Sequence, residues 1–311
     1  MTEMENCSAR VVAFIGRLLV FALPVVALGG ACAWSIFGVV HSPSQAILQH
    51  RLQKLARNPD CETVLLGDSS LGNGISESVY SIETRQKTLN LSLNGLYGYA
   101  GSWHLLRRAI KTCPDLKNVV LVQTMDMFQR PVARAGNVRM LPSSDWWELP
   151  LGEQLEIPND ILQTVFSWDG LSSLESALQG RDVPAVVNDY LEQLPPTDWA
   201  TIAPEPFLAR DIQPGKEEFL RRIVDLARDN QLNLVYSHGP MRRGIVEIST
   251  DYLTAVGQRI RATGCPMVAK IVALDDHELG DSEDHAHPGS RDSVTHRFVQ
   301  LIAPPPRSRP E

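Results

Sequence analysis

A serine follows directly after a short run of mainly apolar residues, in the position that a catalytic nucleophile would occupy. The run is Thr63–Gly67, and Asp68 and Ser69 come next. Because ligands of parallel α/β sheets bind outside the carboxyl ends of the strands, the Ser69 hydroxyl is placed for nucleophilic attack. Gly, Asp and Ser are also favoured in ordinary turns, so this segment taken alone does not separate a nucleophile from a turn.

A second group of residues able to do chemistry lies near the C-terminus, in the 275–287 loop. A nucleophilic serine needs a base to take its proton and a carboxylate to hold that base in the right tautomer. Asp284 and His287, three residues apart, could supply both from one turn. Two other interpretations stay open: a solvated acidic loop, and a metal site formed by His285 and His287 with Asp281 or Asp284.

These motifs, with a third block between them, resemble the SGNH (GDSL-type) hydrolase superfamily. The blocks are Gly67-Asp68-Ser69, Asn90-Leu91-Ser92-Leu93-Asn94-Gly95 and Asp284-x-x-His287-Pro288, and the resemblance covers most of residues 60–303. It implies that Ser69 is the nucleophile, His287 the general base and Asp284 its orienting partner. It also implies an oxyanion hole that includes the backbone N–H groups of Ser69 and Gly95, and chemistry that needs no metal or organic cofactor.

One hydrogen-bond donor of the family pattern is absent. The family usually has a Gly-x-Asn-Asp block after the third strand, and here that segment is Val122–Phe128. If Asp126 matches the family aspartate, Met125 stands at the asparagine, and its thioether cannot donate to an oxyanion. Loss of one such donor typically costs about 10²–10³ in rate. The residues that could substitute are Asn73, Asn94 and Gln123; the side chains expected to line the site are Asp68, Asn73, Asn94, Asp126 and His238.

The strands and helices that must position these residues predict an α/β fold: a three-layer, flavodoxin-like parallel sheet. Between 130 and 215 lies a segment rich in Pro and Trp, which we interpret as an insertion. Its Trp146, Trp147, Trp168 and Trp199 could stack on sugars, although core packing is the more usual role of tryptophan. The predicted strands are 63–67, 87–93, 118–123, 232–237 and 266–273, and the predicted helices are 99–112, 217–230, 250–263 and 292–302.

Two cysteines stand just before the first and third predicted strands. In the flavodoxin-like order these strands are neighbours, which would bring Cys61 and Cys113 close enough for a disulfide. A disulfide would suit an oxidising compartment. Two free thiols are the other interpretation.

The N-terminal region predicts a membrane anchor. The run Leu18–Val40 has no charge and is long enough to cross the hydrocarbon core, whereas the apolar part of a signal peptide has roughly 7–15 residues. A cleavage or lipoprotein-processing site near Gly29–Ala33 is the alternative. Residues 1–17 precede the anchor, a linker helix is expected over 41–59, and the tail 304–311 is expected to be disordered.

Composition and charge narrow the function. A formal net charge of -7 gives no basic field for a phosphate backbone, so nucleic acid is not expected as a partner. An anchored domain of this kind resembles the bacterial envelope proteins that modify secreted polysaccharides. The resemblance implies a single-pass protein of the cytoplasmic membrane whose domain lies outside it. Its partners would be an acylated sugar or polysaccharide, an acyl donor and other envelope biosynthesis proteins.

The resulting hypothesis is a serine acyl esterase or O-acyltransferase that works through an acyl-Ser69 intermediate. A different class is a non-catalytic SGNH-like protein that binds polymer or organises an envelope assembly, which the missing asparagine favours. A third is a metal-dependent hydrolase built on the 275–287 loop.

Overall fold

Four parallel strands form the centre of the fold. The computed structural model describes residues 3–34, 43–130, 154 and 197–302. It separates into two units, one made of Met1–Ser42 and Pro142–Val183 and the other of Pro43–Leu141 and Pro184–Glu311, and the sheet belongs to the second. The strands lie in the order β2-β1-β3-β4, and every pair is parallel. This confirms the parallel α/β sheet and its flavodoxin-like strand order.

The helices and strands have the following bounds. The helices are α1 Glu3–Trp34, α2 Pro43–Arg57, α3 Ser69–Gly74, α4 Glu77–Thr84, α5 Gly98–Thr112, α6 Glu217–Asp229, α7 Arg243–Ile248, α8 Thr250–Ala262 and α9 Arg291–Ile302. The strands are β1 Thr63–Gly67, β2 Thr88–Asn90, β3 Asn118–Gln123, β4 Asn233–His238, β5 Met241–Arg242 and β6 Ala273–Leu274. Short 3-10 turns occur at Met125–Phe128, Trp199–Thr201, Ala209–Asp211, Asp276–Glu278 and Pro288–Ser290.

Helices cover both faces of the sheet. Helix α5 packs against α6, whereas α9 packs against α3 and α4. Strands β1 and β3 are therefore buried on both faces, which explains why their sequences read as continuous apolar runs rather than as an alternation. Most of the predicted elements agree with the structure to within two residues.

One predicted strand is wrong in most of its length. Residues 266–273 were expected to form a strand, but only Met267 bridges to Tyr236 of β4, and Ala273 begins the two-residue β6. Ala269 and Lys270 between them are exposed. A segment at the edge of a sheet can pair with only one neighbouring strand. Residues 266–268 make two backbone hydrogen bonds to Tyr236 of β4, and the chain then leaves the sheet. Strand β2 is also shorter than predicted, although Leu91 and Leu93 still donate to carbonyls of β1.

Helix α1 covers most of the predicted membrane anchor, and residues 35–40 of that prediction lie outside the described residues. Within the part of the chain that the structure describes, no helix is both long enough and apolar enough to cross a membrane. The predicted transmembrane helix at 18–40 is therefore unsupported. Most of the predicted insertion, residues 131–196 other than 154, lies outside the described residues. Trp146, Trp147 and Trp168 belong to this part, and the tail 304–311 also lies outside the described residues.

The predicted linker helix is present as α2, and it is packed into the domain. Ile47, Leu48 and Leu55 are buried on one side of it. Arg51, on the same side, is fully buried and donates from Nε to the Ser92 carbonyl at 2.9 Å and from Nη2 to the Ser92 hydroxyl at 3.2 Å. Helix α2 is thereby fixed to the segment that follows β2.

Cys61 and Cys113 form a disulfide, with their Cα atoms 5.7 Å apart. They lie just before β1 and β3, which are paired from Thr63 and Asn118 onwards. The interpretation as a disulfide is confirmed over that of two free thiols. Cys265 is a buried free cysteine.

Candidate functional site

The end of β1 is tied to the end of β3 by the side chain of Asp68. This carboxylate is buried and caps the start of α3, where it accepts from the Ser70 N–H at 3.0 Å and the Ser70 hydroxyl at 2.6 Å. Its second oxygen accepts from the Thr124 N–H, just beyond β3, at 2.8 Å. A Cβ atom on Gly67 would lie 1.8 Å from the carbonyl oxygen of Val122, so glycine is required for the two strands to meet here.

Ser69 lies at the first position of α3 and is partly exposed, in contrast to its fully buried neighbour Ser70. Within the described residues, the Ser69 hydroxyl makes no hydrogen bond, whereas the Ser70 hydroxyl is committed to Asp68. The structure therefore places Ser69 at the carboxyl end of β1, as the sequence predicted, in a partly exposed position.

Asp284 of the 275–287 loop reaches the same edge of the sheet. It is buried, it accepts from the Ser282 hydroxyl at 2.5 Å, and its charge acts on Asp68. Burial, and then the charge of Asp284, raise the pKa of Asp68 to about 6. For Asp284 itself, burial acts to raise the pKa, but the charge of His285 and the hydrogen bonds from Ser282 and Thr124 outweigh it, so the pKa is lowered. The two carboxyl groups thus differ in acidity, and Asp68 keeps its proton to higher pH.

The histidine in contact with Asp284 is His285, not His287. The His285 Nε2 lies 3.7 Å from an Asp284 oxygen, and its Nδ1 lies 2.7 Å from an oxygen of Asp281. A carboxylate only accepts, so the Asp281 contact places a proton on Nδ1 and leaves Nε2 as the nitrogen that exchanges protons. This is the tautomer that a catalytic carboxylate imposes on a general base.

His287 is exposed and faces a surface groove that His277 and Asp276 also line. Its Nδ1 accepts from the Gly289 N–H at 3.1 Å, so a neutral His287 carries its proton on Nε2. That is opposite to the tautomer expected of a base oriented by Asp284. Among the described residues, no hydrogen bond or ion pair joins Asp284 to His287. The catalytic role of His287 stays a prediction, and His285 becomes a second candidate.

The 275–287 loop is held in place by an arginine that sequence reasoning missed. Arg242 is buried, and it binds Asp276 through Nε at 2.8 Å and the Trp199 carbonyl through Nη2 at 2.7 Å. Its backbone N–H donates to the Glu283 carbonyl at 2.7 Å. Trp199 is itself buried and donates to the carbonyl of Gly280, so it packs against the loop rather than offering a free ring for sugar stacking. The loop is structured, which disfavours the interpretation of it as merely solvated.

Asp126 is paired with Arg130, a residue that the motif analysis did not identify. The Arg130 Nε donates to an Asp126 oxygen at 2.9 Å. Arg130 also interacts electrostatically with Asp68, Asp284 and Lys216. Its Nη1 lies 2.0 Å from the place where a Cβ atom on Gly95 would be. The sequence feature that could have identified Arg130 is its position four residues after Asp126, just beyond a strand. This spacing of an acid and an arginine is common on protein surfaces, so it does not by itself indicate a functional residue.

The other predicted lining residues are spread around this edge. Asn94 is partly exposed, and its side-chain oxygen accepts from the Leu96 N–H at 3.1 Å. Asn73 is buried, and its side-chain oxygen has no partner among the described residues. His238 ends β4, where burial lowers its pKa to about 4. The next residue, Gly239, packs so tightly on α3 that a Cβ atom there would lie 2.1 Å from the Ser70 hydroxyl.

Within the described residues, no group of three or more His, Cys, Asp or Glu side chains could hold a metal ion. Comparison with protein-family models and with curated proteins found no match to this chain.

Proposed function

We propose that this chain is an SGNH-type serine acyl esterase or O-acyltransferase that acts on an acylated bacterial cell-surface or exported polysaccharide. The observation that carries the proposal is the Ser69 hydroxyl. Ser69 is partly exposed at the carboxyl end of β1, and the Asp284–His285 pair approaches the same edge through Asp68. The polysaccharide and the acyl group come from the resemblance of the motifs alone.

The proposed reaction has two steps. The Ser69 oxygen attacks the ester carbonyl, its proton passes to a histidine, and the leaving sugar oxygen receives that proton as the carbon–oxygen bond breaks. Water or a second sugar hydroxyl then attacks the acyl-Ser69 ester, and the serine recovers its proton. Water as the second nucleophile gives an esterase, and a sugar hydroxyl gives a transferase.

The base in this reaction is His285 or His287, and two variants separate them. We expect His285→Ala to abolish serine reactivity, because the Asp281 contact holds the proton on Nδ1 and leaves Nε2, which lies beside Asp284, as the nitrogen able to accept a proton. We expect His287→Ala to leave it nearly unchanged. The measurement is the rate at which each full-length variant is labelled by a fluorophosphonate; the reverse order would restore the sequence-based assignment of His287.

The first test of the function is the same labelling, applied to the 311-residue chain and to its Ser69→Ala variant. We expect an adduct on Ser69 in the parent and none in the variant. Ser293→Ala, which removes an exposed hydroxyl on α9, is the matched control and should label like the parent. A folded parent that forms no adduct would argue against the enzyme.

That negative result would favour a second function, a non-catalytic domain that binds polymer or organises an envelope assembly. The observation in its favour is Met125, which is fully buried at the position of the family asparagine and offers no donor. Binding of acetylated and deacetylated polysaccharide to the Ser69→Ala chain would then be the informative measurement.

Attachment to the bacterial cytoplasmic membrane through α1, with the sheet-containing unit outside the cytoplasm, is a separate part of the proposal. The Cys61–Cys113 disulfide supports an oxidising compartment. Protease accessibility of the sheet-containing unit in spheroplasts tests the location: digestion without lysis is expected, and protection until lysis would contradict it.

A further inference from the structure

The guanidinium of Arg130 lies against Gly95, the residue whose N–H is expected to bind the oxyanion. Because Nη1 is 2.0 Å from the position of a Cβ atom on Gly95, any larger residue there would meet this side chain. The absence of a side chain at Gly95 is what lets a positive charge come this close to the backbone. The Arg130 side chain is 37% exposed, so a substrate oxygen has access to it.

Asp126 holds this guanidinium in place. The ion pair at 2.9 Å uses Nε, which leaves the two terminal nitrogens to point elsewhere, and one of these is the nitrogen beside Gly95. The ion pair also neutralises Asp126. Without a partner, this carboxylate would repel the negative charge that develops on the carbonyl oxygen in acyl transfer. With Arg130 bound, the same carboxylate positions a cation instead.

The positive charge of Arg130 acts on carboxylates of two segments, the start of α3 and the 275–287 loop. Its charge acts on Asp68, next to Ser69, and on Asp284 of the 275–287 loop. It also acts on the buried Lys216, whose pKa is lowered to about 8 by burial and by the charge of Arg130. The charges of Arg130 and Lys216 therefore both act at this edge of the sheet, where the carboxylates alone would make it negative.

The donors that the sequence offered in place of the missing asparagine are less suitable. The amide nitrogen of Gln123 donates to the Ser102 hydroxyl of α5 at 3.1 Å, and the residue is fully buried. Asn73 is also buried, and Asn94, whose side-chain oxygen accepts from the Leu96 N–H, is not among the side chains found against Gly95. Among the described residues, Arg130 is the donor side chain found against Gly95.

We propose that Arg130 supplies the side-chain donor of the oxyanion hole, in place of the family asparagine. This inference rests on the proposed acyl-Ser69 chemistry. When Ser69 attacks the ester, the carbonyl oxygen becomes negative and accepts hydrogen bonds from the N–H groups of Ser69 and Gly95 and from a terminal nitrogen of Arg130. No proton is transferred from the guanidinium, and the oxygen returns to a carbonyl when the leaving group departs.

The experiment is steady-state hydrolysis of p-nitrophenyl acetate by the full-length chain and its variants. We expect Arg130→Ala to lower kcat by about 10²–10³ with little change in KM, because the donor acts on the transition state and not on the neutral ester. Arg130→Lys keeps the positive charge but carries it on a single ammonium group at the end of a shorter side chain, so kcat should be partly restored relative to Arg130→Ala. Arg222→Ala, which breaks an ion pair of the same 2.9 Å length and spacing on α6, should leave the rate unchanged.

A double variant separates catalysis from charge balance. Asp126→Ala with Arg130→Met removes both charges and introduces no hydrogen-bond donor, so it keeps the local charge balance and gives a measurement even where Arg130→Ala fails to fold. We expect it to be as slow as Arg130→Ala. A double variant close to the parent rate, with Ser69→Ala inactive, would overturn the role of Arg130 and leave the proposed function standing. A folded parent that neither hydrolyses the ester nor labels at Ser69 would overturn both.

Discussion

At the scale of single residues, the proton on Asp68 is the most informative feature of the site. Asp68 is 1% exposed and accepts hydrogen bonds from both α3 and the end of β3. Its raised pKa means that folding makes the carboxyl group a weaker acid. The carboxyl group that links α3 to the end of β3 therefore changes charge close to neutral pH.

The pH dependence of stability follows from this shift. A carboxyl group whose pKa rises from 3.8 to about 6 on folding binds its proton more tightly when folded, so its contribution is largest below pH 4 and is lost as the pH rises through 6. The full change is on the order of 3 kcal/mol, at about 1.4 kcal/mol for each pKa unit. We expect the difference in free energy of unfolding between the parent and Asp68→Asn to fall between pH 4 and 6, measured by urea unfolding.

The parent must be compared with Asp68→Asn because the titration of His238 changes the free energy of unfolding with pH in the opposite direction. Its pKa is lowered to about 4, so its contribution is present above pH 6.5 and is lost as the pH falls towards 4. That contribution is common to both proteins and cancels in the difference. A difference that stays constant from pH 4 to pH 7 would contradict the raised pKa of Asp68.

The sequence was sufficient to place Ser69 at the carboxyl end of β1, because the serine follows that strand closely. It was a weaker guide to Asp284, because most of the strand predicted before it, 266–273, does not form. It was not sufficient to choose between His285 and His287. They are two residues apart, and which of them faces Asp284 depends on the backbone of the loop, including the bridge between Leu279 and Ala286. Arg130 was missed because its partner at Gly95 is distant in sequence.

At the scale of elements, helix α2 supports the segment after β2. Arg51 is fully buried on its inner side and binds both the carbonyl and the hydroxyl of Ser92, which lies three residues before Gly95. The helix expected over 41–59 is present as Pro43–Arg57. That it would be part of the domain could not be predicted, because a buried arginine has the same sequence signal as an exposed one.

We expect Arg51→Ala to lower the free energy of unfolding by about 1–3 kcal/mol, because it leaves buried polar groups of Ser92 without their partner. Arg57→Ala, an exposed arginine of the same helix, is the control and should change stability by less than about 0.5 kcal/mol. Chemical denaturation of the full chain provides the measurement. Equal effects of the two substitutions would show that α2 does not contribute through Arg51.

At the scale of the whole molecule, the disulfide constrains the start of the sheet. Cys61 and Cys113 are 52 residues apart in sequence, and the bond closes a loop that contains β1, β2 and α5. Cross-links of this kind typically stabilise by about 2–4 kcal/mol through their effect on the unfolded chain. The predicted order of parallel strands placed the two cysteines side by side, but the sequence did not decide between a disulfide and two free thiols.

We expect a reductant to lower the denaturation midpoint of the parent and to have no effect on a Cys61→Ala, Cys113→Ala double variant, which should unfold at the midpoint of the reduced parent. Cys265→Ala removes the buried free cysteine and should retain the full response to reductant. Equal midpoints for the oxidised and reduced parent would contradict a stabilising disulfide.

The position of the disulfide has a practical consequence for making this protein. Cys61 and Cys113 lie at the start of β1 and β3, and Ser69 lies at the finish of β1, a strand of five residues that spans about 17 Å. Protein made in a reducing host would therefore be less stable and give a lower yield. Its candidate site would be little changed, because Ser69 lies at the other end of β1 from the disulfide. In the test of the proposed function, such a preparation, assayed fresh and cold, should form the Ser69 adduct as fast as one secreted into an oxidising medium.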